Sequence, residues 1–163
     1  MNRLATLTVL LSCLVLCACG YQLRGSASAG AAARDVYVDG PSWLVAESGI
    51  LVESSGGQML KGPTDAGGVI RFRNDSFDRR VISVDSSTGK EREVELSYSL
   101  YFDVRNRAGE LLLDNARVHV LRDYTIDPDA ILGKFTEVEV VKREMRRAAV
   151  AQLIRRADSV LGS

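Results

Sequence analysis

The sequence predicts an α+β domain, a two-layer sandwich in which a four-stranded, mostly antiparallel sheet carries two helices on one face. Three observations predict it. Arg92 to Arg105 alternates apolar and polar side chains, "NRAG" (106–109) then turns the chain into a second alternating segment, and the last part of the chain carries an apolar stripe at helical spacing. A sheet with one wet face and a helix with one apolar stripe each need covering, and each can cover the other.

The first segment, "MNRLATLTVLLSCLVLCAC", reads as a leader. Arg3 supplies a positive start, and Leu4 to Leu16 is apolar apart from Thr6, Thr8 and Ser12. Such a run suits a secretory signal and is short for a bilayer span. It ends in Leu16-Cys17-Ala18-Cys19, the pattern of a bacterial lipobox with Cys19 as the lipidated residue. Cys17 fits less well, because Leu16 would occupy the small-residue position, and Cys13 would leave a very short apolar run. Residues 1–18 are thus predicted to be a signal peptide and 19–33 a lipidated N-terminus and tether, the latter including "GSASAGAAA" (25–33). Residues 34–163 form a single domain of a size that supports a core. Gly20, where Asp would favour the inner membrane, permits the outer one. With Cys13 and Cys17 removed and Cys19 acylated, no thiol is left for a disulfide, a metal or a nucleophile.

Charge excludes one class of partner. Lys and Arg total 21 and Asp and Glu total 21, and the leader removes only Arg3, so nothing points to nucleic acid.

The elements of the domain follow in order. "RDVYVDG" (34–40) reads as a short strand ending in a turn. Pro41 sits where a helix can start, and Trp43, Ala46 and Ile50 would share its apolar face. "GGQMLKGPTDAGG" (56–68) is rich in breakers and reads as loop. "VIRFRNDSFDRRVISVD" (69–85) reads as one long strand with a bend or bulge at "NDSFD". In the next strand Val94, Leu96, Tyr98, Leu100, Phe102 and Val104 face the core. "ELLLDNARVHVLRDY" (110–124) returns as the partner of a long hairpin, with Ala116, Val118 and Val120 inward. Thr136 and Glu139 have capping-box spacing at the head of the last helix, whose stripe is Val138, Val141, Met145, Ala149, Leu153, Ala157 and Val160. The arginines of "KREMRR" and "IRRAD" lie mainly on its other side and read as a solvated face.

No catalytic set is visible. His119 is the only histidine and falls on the wet face of its strand. There is no nucleophile elbow, no phosphate-binding glycine loop and no histidine pair for a metal. "DYTIDPD" (123–129) lacks the spacing of a calcium loop. The protein is therefore read as no enzyme.

The most specific signal is a resemblance. "CGYQLRG" (19–25) resembles the start of mature LptE proteins, the lipopolysaccharide-assembly lipoproteins, in which Cys-Gly-aromatic-x-Leu-Arg is common. The likeness continues in order and spacing through the long hairpin, "RDYTID" (122–127), "ILGKFTE" (131–137) and "REMRRAAVAQLIRR" (143–156), and is least from Trp43 to Met59. It implies an outer-membrane lipoprotein that faces the periplasm and plugs the large β-barrel LptD, assisting its assembly and the delivery of lipopolysaccharide to the cell surface. It also implies no cofactor beyond the lipid on Cys19. Lipopolysaccharide would be met by basic side chains near one end of the sheet. Lys134 in "ILGKFTE" matches best, followed more loosely by Lys90 and Arg92 around "STGKER". Ordinary exposed loop cations are the other reading of these three. The rival for the whole chain is a periplasm-facing lipoprotein that carries an amphiphile alone, which would need a sizeable apolar cavity.

Overall fold

The structure is a computed structural model that describes residues 35–126 and 134–162, with the side chains of 134–137 excepted. The expected leader, Cys19, the tether, the capping box at Thr136 and the side chain of Lys134 lie outside the described residues.

Strand β1 (Asp35–Asp39) leads through Gly40 and Pro41 into helix α1 (Ser42–Ser54), followed by β2 (Gln58–Met59), β3 (Gly68–Val84), β4 (Glu91–Asn106), β5 (Leu111–Thr125) and helix α2 (Lys134–Leu161). Pro41 starts α1 because its fixed φ of −64° suits a helix entry and its carbonyl accepts the N–H groups of Leu44 and Val45. Gly40 is needed for packing, since a Cβ there would lie 3.0 Å from both Leu44 Cδ2 and Phe72 Cβ.

The sheet differs from the expected one. It has five strands in the order β2-β1-β3-β4-β5, and it is mixed. β1 runs parallel to both β2 and β3, whereas β3–β4 and β4–β5 are antiparallel. The parallel half follows from connectivity: a strand that returns after a helix has crossed the sheet points the same way as the strand before it. β2 lies in the stretch read as loop and is two residues long, too short to show any alternation.

The long strand β3 is present, with its irregularities at Arg73 and Ile82, where the register with β4 slips. They flank "NDSFD" and do not fall within it. In α1 the buried stripe is Leu44, Ser48 and Val52, while Ala46 and Ile50 are exposed. Apolar residues surround this helix, so its own periodicity cannot select a face and packing decides.

The core is one cluster. Val36 and Val38 of β1, Ile70 of β3, Val94 to Val104 at alternate positions of β4, and Ala116, Val118 and Val120 of β5 meet Leu44 of α1 and Met145, Ala149, Val150, Leu153 and Ala157 of α2. The small residues of α2 let its backbone approach the sheet closely. At the far end Leu161 presses on Gly68, where no Cβ would fit without displacing it.

Candidate functional site

The β3–β4 turn carries two of the expected cations. Asp85 shapes it. One oxygen of its carboxylate accepts the backbone N–H groups of Ser87 and Thr88, each at 2.9 Å, and the hydroxyls of the same two residues. The Ser87 hydroxyl above all, then the two N–H groups, hold this carboxyl far below the usual aspartate range. Gly89 closes the turn at φ +69°, donating its N–H to the Asp85 carbonyl at 2.8 Å, and Asp85 N–H donates to the Lys90 carbonyl at 2.7 Å. The turn held by Asp85 thus presents Lys90, and Arg92 follows at the start of β4.

Beside them lies a cleft of about 450 Å³ lined by Asp85, Ser87, Thr88, Lys90, Glu91, Arg92, Thr125 and Ile126. Ile126 closes its floor by donating its N–H to the Arg92 carbonyl at 2.8 Å. Arg92 is the extra residue of β4 where its register with β3 slips between the Ser83–Glu93 and Val84–Glu91 pairs, and its side chain is exposed. Arg79 clasps the carboxylate of Glu91 with both guanidinium nitrogens. Asp85 and Glu91 are therefore engaged, whereas Lys90 and Arg92 have no ion pair among the described residues.

The direction of α2 sets the position of its first residue. Lys142 stacks over Phe77, Arg146 over Tyr98, and Leu161 meets Gly68 at the opposite end. The head of α2, which opens at Lys134, thus points towards the end of the sheet that bears the turn.

His119 lies on the uncovered face of the sheet, as expected. Its Nδ1 is 3.0 Å from the Ser99 hydroxyl and accepts from Arg117 Nη2 at 2.9 Å. A guanidinium thus occupies the nitrogen that would have to take the Ser99 proton, and among the described residues no carboxylate orients the ring. This pair lacks the arrangement of a nucleophile and its base. Among the described residues no cluster of His, Cys, Asp and Glu can hold a metal ion.

The family model of LptE, lipopolysaccharide-assembly, matches residues 22–157. The chain belongs to the LptE family. It is 26% identical to the LPS-assembly lipoprotein LptE of Pectobacterium atrosepticum, over 99% of this chain and 89% of that one. The fold is similar to that of rare lipoprotein B from Shewanella oneidensis, with 24% identity and a TM-score of 0.66 over 77% of this chain and 94% of that chain. A lipoprotein B from Nitrosomonas europaea is similar in fold with the same TM-score, at 19% identity, over 86% of this chain and 91% of its own. LptE proteins are lipopolysaccharide-assembly lipoproteins and not enzymes.

Proposed function

We propose that this LptE-family protein is an outer-membrane lipoprotein, anchored through lipid on Cys19 once residues 1–18 are removed. Its domain, 34–163, plugs the lumen of an LptD-type β-barrel, assists assembly of that barrel and takes part in delivering lipopolysaccharide. The observation that carries this reading is the family match over residues 22–157, which takes in most of the tether and nearly the whole domain. The packing supports it. The cleft between α1 and the end of α2, lined by residues such as Leu51, Ile154 and Leu161, holds about 170 Å³, below the roughly 300–1,000 Å³ of ordinary ligand pockets. The larger cleft, at the β3–β4 turn, is lined mostly by polar and charged side chains, so the small apolar space between sheet and helices suits a plug better than a lone carrier of an amphiphile.

Lipopolysaccharide is met at the turn end of the sheet by Lys134, Lys90 and Arg92. Ammonium and guanidinium groups there pair with lipid phosphates through charge-assisted hydrogen bonds, and the cleft beside Lys90 and Arg92 receives part of the head group. Several acyl chains on Cys19 would make the anchoring stable, where one chain alone is reversible.

The test is co-purification of the C-terminally tagged protein from gently solubilised outer membranes. An equimolar large β-barrel is the expected result. Recovery of the protein with a bound amphiphile and no barrel would replace the plug with the carrier.

A further inference from the structure

The arginines of α2 are not all on a solvated face. Trp43 and Glu47 of α1 face Arg143, Arg146 and Arg147 of α2 across a cleft of about 180 Å³. The two α1 residues are one turn apart, and the three arginines fall within one turn of α2, so each set shares a helix face. The cleft wall therefore has three guanidinium groups against one carboxylate.

The acids nearby leave this excess in place. Glu47 lies 3.6 Å from Arg147 Nε, and Asp75 lies 3.9 Å from Arg146 Nη2. Asp75 already accepts the hydroxyl of the buried Tyr98 at 2.6 Å. Arg143 has no ion pair among the described residues. Arg146 is held in place by aromatic rings: its guanidinium carbon is 4.4 Å from the centroid of Trp43 and 5.9 Å from that of Tyr98. Its Nε is buried and makes no hydrogen bond. An arginine left to solvent would keep that N–H in water, so leaving it dry is costly unless the position serves something else.

We propose that this cleft binds a phosphate group. Arg146, fixed on Trp43, supplies the pre-oriented cation at its base, and Arg143 and Arg147 close over the anion from the rim. Planar guanidinium forks suit a tetrahedral oxyanion, and a doubly charged phosphate uses a surplus of cations better than a single carboxylate does. The volume is about six times the ~30 Å³ share of a liquid water, enough for a phosphate with part of its hydration. The phosphate is either free or the head group of a phospholipid or phosphorylated glycolipid. This proposal does not rest on the barrel partner, nor on the turn that bears Lys90 and Arg92.

Trp43 is the only tryptophan in the chain, so its emission reports directly on the cleft. The full lipidated protein in non-ionic detergent would be titrated with inorganic phosphate at constant ionic strength, with sodium chloride as the matched control. A saturable change in Trp43 emission with phosphate but not with chloride is expected. In Arg143→Gln/Arg147→Gln, whose substitutions sit on the exposed rim and leave Arg146 packed, the affinity should fall at least tenfold with an unchanged circular dichroism spectrum. A response that follows ionic strength alone, or that persists in the folded double variant, overturns the proposal. Phosphatidic acid mixed into the same micelles separates the sources. Affinity tenfold above that of inorganic phosphate assigns a lipid head group, and equal affinity assigns the free ion. A stronger response to an acidic hexapeptide than to either would overturn the phosphate assignment in favour of an acidic protein segment.

Discussion

Two N–H groups of Arg73 converge on Oδ2 of Asp103, Nε at 2.7 Å and Nη2 at 2.5 Å, at the point where β3 carries an extra residue against β4. The other oxygen of Asp103 accepts the backbone N–H of Asn115 at 2.9 Å. Asn115 has φ +44° and sits where the register of β5 slips against β4. One carboxylate, only 2% exposed, therefore fastens the irregularities on both sides of the central hairpin strand. Bulges bend and twist long strands, so Asp103 helps set the curvature of the sheet.

Replacing Asp103 with Ala should lower the stability of the domain by about 2 kcal/mol, the scale of hydrogen bonds to a charged group. Asp114→Ala should change it by less than about 0.5 kcal/mol, because Asp114 is 68% exposed and 3.8 Å from the same guanidinium. Urea midpoints of the two variants check this. Equal losses would mean that the buried hydrogen bonds of Asp103 contribute no more than an exposed ion pair.

Acid should weaken the same joint. Burial alone would raise the Asp103 carboxyl, but the hydrogen bond from Arg73, the Asn115 N–H and the charges of Arg73 and Arg105 outweigh it and hold the group below its ordinary value. Its folded pKa therefore lies under the unfolded one. The stabilisation is complete above the unfolded aspartate value of about 3.9 and is lost as the pH falls through the folded value. Asp85 is lowered as well and acts in the same direction. Stability followed downward from pH 5 should fall less steeply in Asp103→Asn than in the parent, and less steeply again when Asp85→Asn is added. Parallel curves for all three proteins would remove both groups from the acid response.

What the sequence made legible was what repeats. The alternation of β4 from Val94 to Val104 recurs in the burial of those side chains, and the stripe from Met145 to Ala157 is the buried face of α2. What it hid was decided by tertiary contact. α1 is apolar on every side, so only docking could choose Leu44 over Ile50. β1 and β3 pair in parallel across an intervening helix, a relation that no local pattern carries. Arg73 and Ile82 sit in bulges that depend on partners about thirty and ten residues away along the chain, Asp103 and Glu93. Lys90 and Arg92 were singled out by resemblance, and the turn built on Asp85 explains how they are presented. The cleft between Trp43 and Arg146 joins two helices distant in sequence, and its only advance sign was the density of arginines in "KREMRR".

The close packing of α2 on the sheet can be measured in both directions. Leu153 and Ala149 are fully buried. Leu153→Ala should cost about 3 kcal/mol through lost burial and the cavity left behind. Ala149→Leu should also destabilise, by about 1–3 kcal/mol, because the core has no room for the added carbons. Denaturant unfolding gives both values. A stabilised Ala149→Leu would reveal a void between helix and sheet, which the carrier reading requires and the plug reading does not.

Loss of the anchor should move the protein without unfolding it. On the proposed attachment at Cys19, residues 20–163 exported behind a cleavable leader of a soluble protein should leave the membrane fraction while keeping the urea midpoint of the parent. Retention of that leaderless, unacylated chain in membranes that lack a barrel partner would show that Cys19 is not the attachment point.

Charge reversal at the turn tests the lipopolysaccharide contact. Asp85 accepts hydrogen bonds from Ser87 and Thr88, and Glu91 pairs with Arg79, so Lys90 and Arg92 are the cations of the cleft lining that are left without an ion pair among the described residues. Their side chains are exposed and make no ion pair among the described residues, so Lys90→Glu/Arg92→Glu should alter stability by no more than about 0.5 kcal/mol. Against lipid phosphates, however, each substitution replaces an attraction with a repulsion. Lipopolysaccharide binding should fall at least about tenfold, a loss of about 1.4 kcal/mol, and the residual binding should depend less on salt, because fewer ion pairs remain to be screened. Lys134→Glu should act in the same direction. Asp85→Asn makes the opposite change of charge: it removes a carboxylate from the cleft lining, so it should not share the loss of binding that the double reversal causes. Binding measured by displacement of a fluorescent lipopolysaccharide separates these cases. Folded charge-reversal variants that bind as tightly as the parent would reduce the three cations to ordinary surface residues and move the search for the head-group site to the arginines of α2.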